Sequence, residues 1–240
     1  MLHIEERLLV SQIAVVLLLV TFCFFSPAFA TTFVALVTDQ EGIVAFDSKR
    51  TSTLSGHAFS QSPICKIITG NRSIYAIAGM SGSGDLNAYK IIAPLATGKP
   101  DALLSIQNAL LTMIQTALPH MSEEELTRYI NTGVPLTVVI AIVFDKVPSL
   151  YEILFYLNPD RSVRPQVVRQ KNPALMFSEE AMKPLVPENW SDIDNKIPLV
   201  HSLMSVGIAA NPISAGPISI IRLNAYGLQW IESGVCIVRR

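Results

Sequence analysis

The residue best placed to do chemistry stands directly behind a removable leader. Ile13 to Phe25 form an apolar run broken only by Thr21, closed by Ser26, Pro27 and the triplet Ala28-Phe29-Ala30. That is the pattern of a signal-peptide core followed by an A-x-A cleavage site. The run is shorter than the ~20 residues of a spanning helix, although Leu8 to Phe25 reaches across if the leader is retained as an anchor. Cys23 follows Thr21-Phe22, which is unlike a lipoprotein site. Cleavage after Ala30 makes Thr31 the first residue of the mature chain. A Thr hydroxyl is a poor nucleophile until a base takes its proton, and an N-terminal Thr carries such a base in its own α-amino group. That amine titrates near ~7.7–8.0 and so is partly neutral at physiological pH. With the leader retained, the same nitrogen is locked in a peptide bond and the base is lost.

Other reactive arrangements lack their parts. No G-x-S-x-G elbow presents a serine to His57 or His201, so His57 reads as a loop residue and His201 as part of a helix face. Cys65 adjoins Lys66, but a cysteine in a strand bordering a core is usually structural. Once the leader is gone, Cys65 and Cys236 remain. They can pair in an oxidising compartment or pack separately as small hydrophobes. With four scattered His and no C-x-x-C or H-x-x-x-H spacing, no metal site is readable and no cofactor is expected. Asn71-Arg72-Ser73 and Asn189-Trp190-Ser191 fit the glycan acceptor pattern, which matters only in a eukaryotic secretory route. The formal net charge of −1 and the lack of a Lys/Arg stripe set nucleic-acid partners aside, because phosphate binding needs clustered cations.

The elements that must position Thr31 are legible in the apolar pattern. The 240 residues, half of them apolar, suffice for one sizeable core, and 31–240 reads as a single domain after a signal peptide over 1–30. Thr32 to Val37 and Gly42 to Phe46, separated by polar residues, predict an N-terminal β-hairpin. Ile64 to Thr69 and Ile74 to Ala78, around Gly70-Asn71-Arg72, predict a second. Leu103, Ile106, Leu110, Met113, Ile114 and Ala117 recur at helical spacing between Pro100 and Pro119, with another helix expected within Asp85 to Leu95. Ser122 and Glu125 form a capping box for a short helix that ends near Asn131 and Gly133. Leu136 to Phe144 reads as a strand buried on both faces, followed by Tyr151 to Leu157 and a turn at Asn158-Pro159-Asp160. The proline-bearing stretch 159–196 is expected to be loop, with a short helix near Ser178 to Met182. Pro198 to Ala210 predicts a last helix, and Ile218 to Leu223 with Leu228 to Val238 a last strand pair. Strands and helices come in segregated runs, which points to an α+β fold.

Five ordered segments together resemble the proteasome β-subunit type of N-terminal-nucleophile hydrolase. They are Thr31-Thr32-Phe33-Val34-Ala35-Leu36 with Gly42 to Arg50; Cys65-Lys66-Ile67-Ile68; Ala78-Gly79-Met80-Ser81-Gly82 with Asp85; Asp145-Lys146 with Leu157-Asn158-Pro159-Asp160; and Ser214-Ala215-Gly216-Pro217-Ile218-Ser219. The resemblance implies a four-layer αββα sandwich with Thr31 at the end of an inner strand. It implies that Lys66 and Asp47 sit beside Thr31, the ammonium lowering the pKa of the nucleophile and Asp47 keeping it charged and oriented. It further implies the Gly82 N–H as oxyanion donor and Ser214 as a neighbouring hydroxyl. The expected reaction is hydrolysis of a peptide or another amide through an acyl ester on Thr31, in a secreted or periplasmic protein able to assemble with copies of itself. A membrane contact enters only if the leader is kept. Two departures stand out. Asn211 occupies the place of an Asp and brings no charge, and no Gly-Ser-Gly occurs within 160–200. These departures support the alternative of a binding or assembly protein that kept the fold and lost catalysis.

Overall fold

A computed structural model of the chain describes residues 31–52, 60–83, 86–99, 101–170, 174–176, 179–211, 214 and 216–236. The segment 1–30, read above as a leader, and also Asp85 and His57 lie outside them. The described chain runs β1 (Phe33–Val37), β2 (Glu41–Asp47), β3 (Lys49–Ser52), β4 (Ser60–Pro63), β5 (Ile67–Gly70), β6 (Ser73–Gly79), β7 (Gly82–Ser83), β8 (Leu86–Asn87), α1 (Ala88–Ile92), α2 (Asp101–Ala117) and α3 (Glu123–Thr132). It continues β9 (Thr137–Phe144), β10 (Pro148–Leu157), β11 (Val163–Gln170), β12 (Ala174–Met176), α4 (Glu179–Met182), α5 (Ile197–Ala210), β13 (Ile218–Asn224) and β14 (Gly227–Glu232).

The fold combines helices with two five-stranded sheets, ordered β12-β1-β2-β13-β14 and β11-β10-β9-β6-β5. Every pairing in them is antiparallel. Two-stranded ribbons β3-β4 and β7-β8 complete the pairing. Successive side chains of a strand leave on opposite faces, so a strand with no polar face must be covered twice. In β9, Val139, Ala141 and Val143 join one apolar cluster with Ile106, Leu110 and Met113 of α2. Its alternate residues Val138, Ile140, Ile142 and Phe144 join another cluster with Phe33, Val44, Phe46 and Ile221 of the first sheet. Val34, Leu36, Ile43 and Ala45, the other faces of β1 and β2, pack on Val200, Leu203 and Met204 of α5. At ~1.5–3 kcal/mol for each fully buried aliphatic side chain, this two-sided burial fixes the register of β1, β2 and β9. A slip of one residue would exchange every buried side chain between faces.

The helices begin and end where their chemistry requires. Ser122 Oγ accepts from the Glu125 N–H at 3.2 Å and the Glu125 carboxylate accepts from the Ser122 N–H at 3.0 Å, the reciprocal capping box. Gly133 closes the same helix at φ 63°, a left-handed cap that a side chain resists.

Two expectations need correction. Residues 163–170 are not loop but strand β11, and they tolerate Pro165 because β11 is the edge of its sheet, where a missing N–H need not break a ladder. The last strand stops at Glu232 instead of running to Val238, since Ser233 to Cys236 close a turn through the Cys236 N–H and the Ser233 carbonyl at 2.6 Å. The helix expected within Asp85 to Leu95 is present as α1 followed by one tight turn, entered from the β7-β8 ribbon and capped by the Asn87 side chain on the Tyr89 N–H.

Candidate active site

Thr31 is placed by the strand that follows it. β1 is hydrogen-bonded on both sides, with Phe33 opposite Phe46 of β2 and opposite Met176 of β12. The ladder extends one step beyond the strand, where the Asp47 N–H donates to the Thr32 carbonyl at 3.2 Å and the Thr32 N–H donates to Asp47 Oδ1 at 2.9 Å. Backbone pairing alone therefore sets Asp47, the last residue of β2, beside the start of β1.

Lys66 arrives from the other sheet. It lies just ahead of β5, where its carbonyl accepts from the Ile77 N–H at 3.3 Å. Its ammonium donates to Thr31 Oγ1 at 2.8 Å and to Asp47 Oδ1 at 2.9 Å. Thr31, Asp47 and Lys66 are all buried, at 5%, 1% and 4% exposure. Burial pushes the Lys66 ammonium below the ordinary lysine pKa, and the charge and hydrogen bond of Asp47 partly oppose that shift. The outcome is a cation that holds its proton less firmly than usual and presents it to a hydroxyl oxygen. Such a donor favours the alkoxide over the alcohol.

The next residue turns the other way. Thr32 Oγ1 donates to Ser214 Oγ at 2.8 Å, and its methyl faces Gly207 of α5. A Cβ on Gly207 would lie 2.6 Å from that methyl and 2.8 Å from Met182 Sδ. The helix can therefore approach β1 this closely only without a side chain there.

The six residues expected at the site divide accordingly. Thr31, Asp47 and Lys66 touch one another. Ser214 meets Thr32 rather than Thr31 in the contact above. Asn211 follows the last turn of α5, is buried at 7% exposure, and accepts from the Ser214 N–H through its carbonyl at 3.0 Å. Gly82 belongs to the β7-β8 ribbon, paired with Asn87, which follows β6 of the sheet that carries Lys66. A cleft of about 200 Å³ lined by Asp145, Lys146, Ser149 and Arg169 opens elsewhere, at the β9-β10 hairpin. Among the described residues, no group of three His, Cys, Asp or Glu is gathered that could hold a metal ion, and no helix is long and apolar enough to cross a membrane.

Two features were not settled by the sequence. The Thr32 contacts join residues 182 positions apart, a distance over which local pattern carries no signal. Cys65 and Cys236, left open between a bond and two thiols, form a disulfide with the sulfurs 2.03 Å apart and the Cα atoms 4.7 Å apart. The even pair of cysteines remaining once the leader is removed was the available hint. Comparison with protein-family models and with curated protein sequences finds no match to this chain.

Proposed function

We propose that the protein is a secreted N-terminal-nucleophile hydrolase that cleaves an amide bond through an acyl ester on Thr31, its sheets and helices stacked as a four-layer αββα sandwich. The observation that carries this reading is the placement of the Lys66 ammonium between the Thr31 hydroxyl and the Asp47 carboxylate, at 2.8 and 2.9 Å in a buried setting. The three apolar clusters, one between the sheets and one on the far side of each, support the stacking. The disulfide suits an oxidising compartment.

Signal peptidase frees the α-amino group of Thr31. The neutral amine takes the hydroxyl proton while Lys66 stabilises the oxygen left behind, and that oxygen attacks the substrate carbonyl. The Gly82 N–H receives the developing oxyanion. The amine then gives its proton to the leaving nitrogen, the C–N bond breaks, and an ester on Thr31 remains. Water, deprotonated by the same amine, hydrolyses it. Asn211, which offers the cluster no charge, favours the rival reading of a binding protein with this fold.

A peptide vinyl sulfone or β-lactone, applied to the secreted protein and followed by intact mass and N-terminal sequencing, separates the two. Labelling on Thr31 of a chain beginning at Thr31, absent in Thr31→Ala, supports the hydrolase. A mature chain beginning elsewhere, or a folded protein without label, refutes it.

A further inference from the structure

Lys66 is held by a segment that is not itself strand, and its placement depends on how 64–66 is tied down. The Ile64 N–H donates to the Ser48 carbonyl at 2.8 Å, one residue beyond Asp47. The Lys66 carbonyl accepts from Ile77, as above. Between those two anchors, Cys65 is bonded to Cys236.

Cys236 is anchored in turn. Its N–H closes on the Ser233 carbonyl, which also accepts from Ser219 Oγ at 3.1 Å. Gly234, at φ 52°, leaves no space for a Cβ, which would fall 2.4 Å from Ser219 Oγ and 2.9 Å from the Ile218 carbonyl. The turn is thus seated on the first residues of β13, and Ile218 is the residue paired with Asp47. One covalent bond therefore joins the residue before the cation, in the segment that leads into β5, to a turn fixed on the strand neighbouring the carboxylate, in the other sheet.

We propose that the Cys65–Cys236 disulfide positions Lys66, holding its ammonium between Thr31 and Asp47, so that the reactivity of Thr31 depends on this bond being formed. The inference rests on the reading of Thr31 as the nucleophile. Two opposed forces act on the ammonium: Asp47 draws it in, and desolvation favours its return to water. Cys65 is only partly buried, so solvent is close to this segment. A backbone fixed at Cys65 denies the lysine its route outward. A dithiol reductant transfers an electron pair to the S–S bond, leaving two cysteine thiols and a cyclic disulfide of the reductant. The 64–66 segment then gains the freedom to release the side chain.

The test compares oxidised protein with protein treated with dithiothreitol, and with the variant Cys65→Ala/Cys236→Ala. Samples are restricted to those with the wild-type circular dichroism spectrum, and two quantities are read. The first is the rate of Thr31 labelling by a peptide vinyl sulfone against pH. The second is the titration of the Lys66 ammonium by heteronuclear NMR. Loss of the bond is expected to slow labelling at neutral pH at least tenfold and to move its midpoint upward, because removing a nearby positive charge raises the pKa of the Thr31 amine. The Lys66 titration moves toward the ordinary lysine range, and reoxidation with oxidised glutathione restores both. Should the double variant not fold, dithiothreitol treatment of the folded wild type gives the same two readings.

Unchanged labelling and unchanged Lys66 titration in the bond-free protein overturn the proposal. A wild type that never labels, but whose Lys66 titration still responds to reduction, sinks the hydrolase reading and leaves the positioning role standing.

Discussion

Replacing Asp47 with Asn keeps the size of the side chain and one oxygen for the Thr32 N–H, while it removes the charge facing Lys66 and turns the second oxygen into an NH2 donor. At the observed separation of 2.9 Å and an effective dielectric constant of about 20, the lost attraction is about 6 kcal/mol. The ammonium escapes part of that loss by releasing its proton. A lysine forced neutral at pH 7 costs about 1.4 kcal/mol for each pH unit below its unfolded pKa of about 10.4, which caps the destabilisation near 5 kcal/mol.

The sign follows from proton counting. Lys66 already has a lowered pKa in the folded wild type, so the unfolded chain binds more protons between the folded and unfolded values, and stability rises with pH across that window. Asp47→Asn lowers the folded pKa further and extends the window downward. The difference in unfolding free energy between wild type and Asp47→Asn, from urea titrations with equal slopes, is therefore expected to reach several kcal/mol at pH 7 and to shrink as pH rises to the lowered folded pKa of wild-type Lys66, above which both variants gain stability in parallel. A difference that stays flat between pH 7 and 10, or one below about 0.5 kcal/mol throughout, a size ordinary for surface substitutions, refutes the charged-pair account of the site.

Further expectations concern the surroundings of Thr31. Gly207→Ala places a methyl against Thr32 and Met182, and is expected to cost about 1–3 kcal/mol by overpacking while lowering the yield of Thr31 labelling in the folded fraction. Ser214→Ala leaves the buried Thr32 hydroxyl without this acceptor, a loss of about 1–3 kcal/mol, measurable as a lower thermal midpoint. By contrast, Arg161 and Glu123 form a two-pronged ion pair at 57% and 73% side-chain exposure. Glu123→Gln is expected to change unfolding free energy by less than about 0.5 kcal/mol.

Sequence reasoning was strongest where one segment must bury both its faces. Leu136 to Phe144 has no polar side to turn outward, and β9 is covered on both faces. The opening hairpin and the capped helix after Ser122 were legible for similarly local reasons. Polar strands were not. Lys49–Ser52, Ser60–Pro63 and Val163–Gln170 carry no apolar alternation, and they are strands because neighbouring backbones offer hydrogen-bond partners. Asp47 and Lys66 could be named as neighbours of Thr31 only through the resemblance, since no spacing rule joins the end of one strand to the start of another in a different sheet. The partner of Cys65 lay 171 residues away, and only the packing of β13 and the closing turn brings the two together.

Under the proposed mechanism the tandem Thr31-Thr32 is not a duplicated nucleophile. Neighbours along an extended backbone point to opposite sides, and here one hydroxyl meets a lysine while the other meets a serine just past the end of α5. On the proposed mechanism, a leader trimmed one residue too far would still leave a threonine at the terminus, yet its alcohol would face away from the lysine. Maturation would then tolerate no register error at the scissile bond, and the protease that trims the leader would share responsibility for activity with the side chains of the cluster.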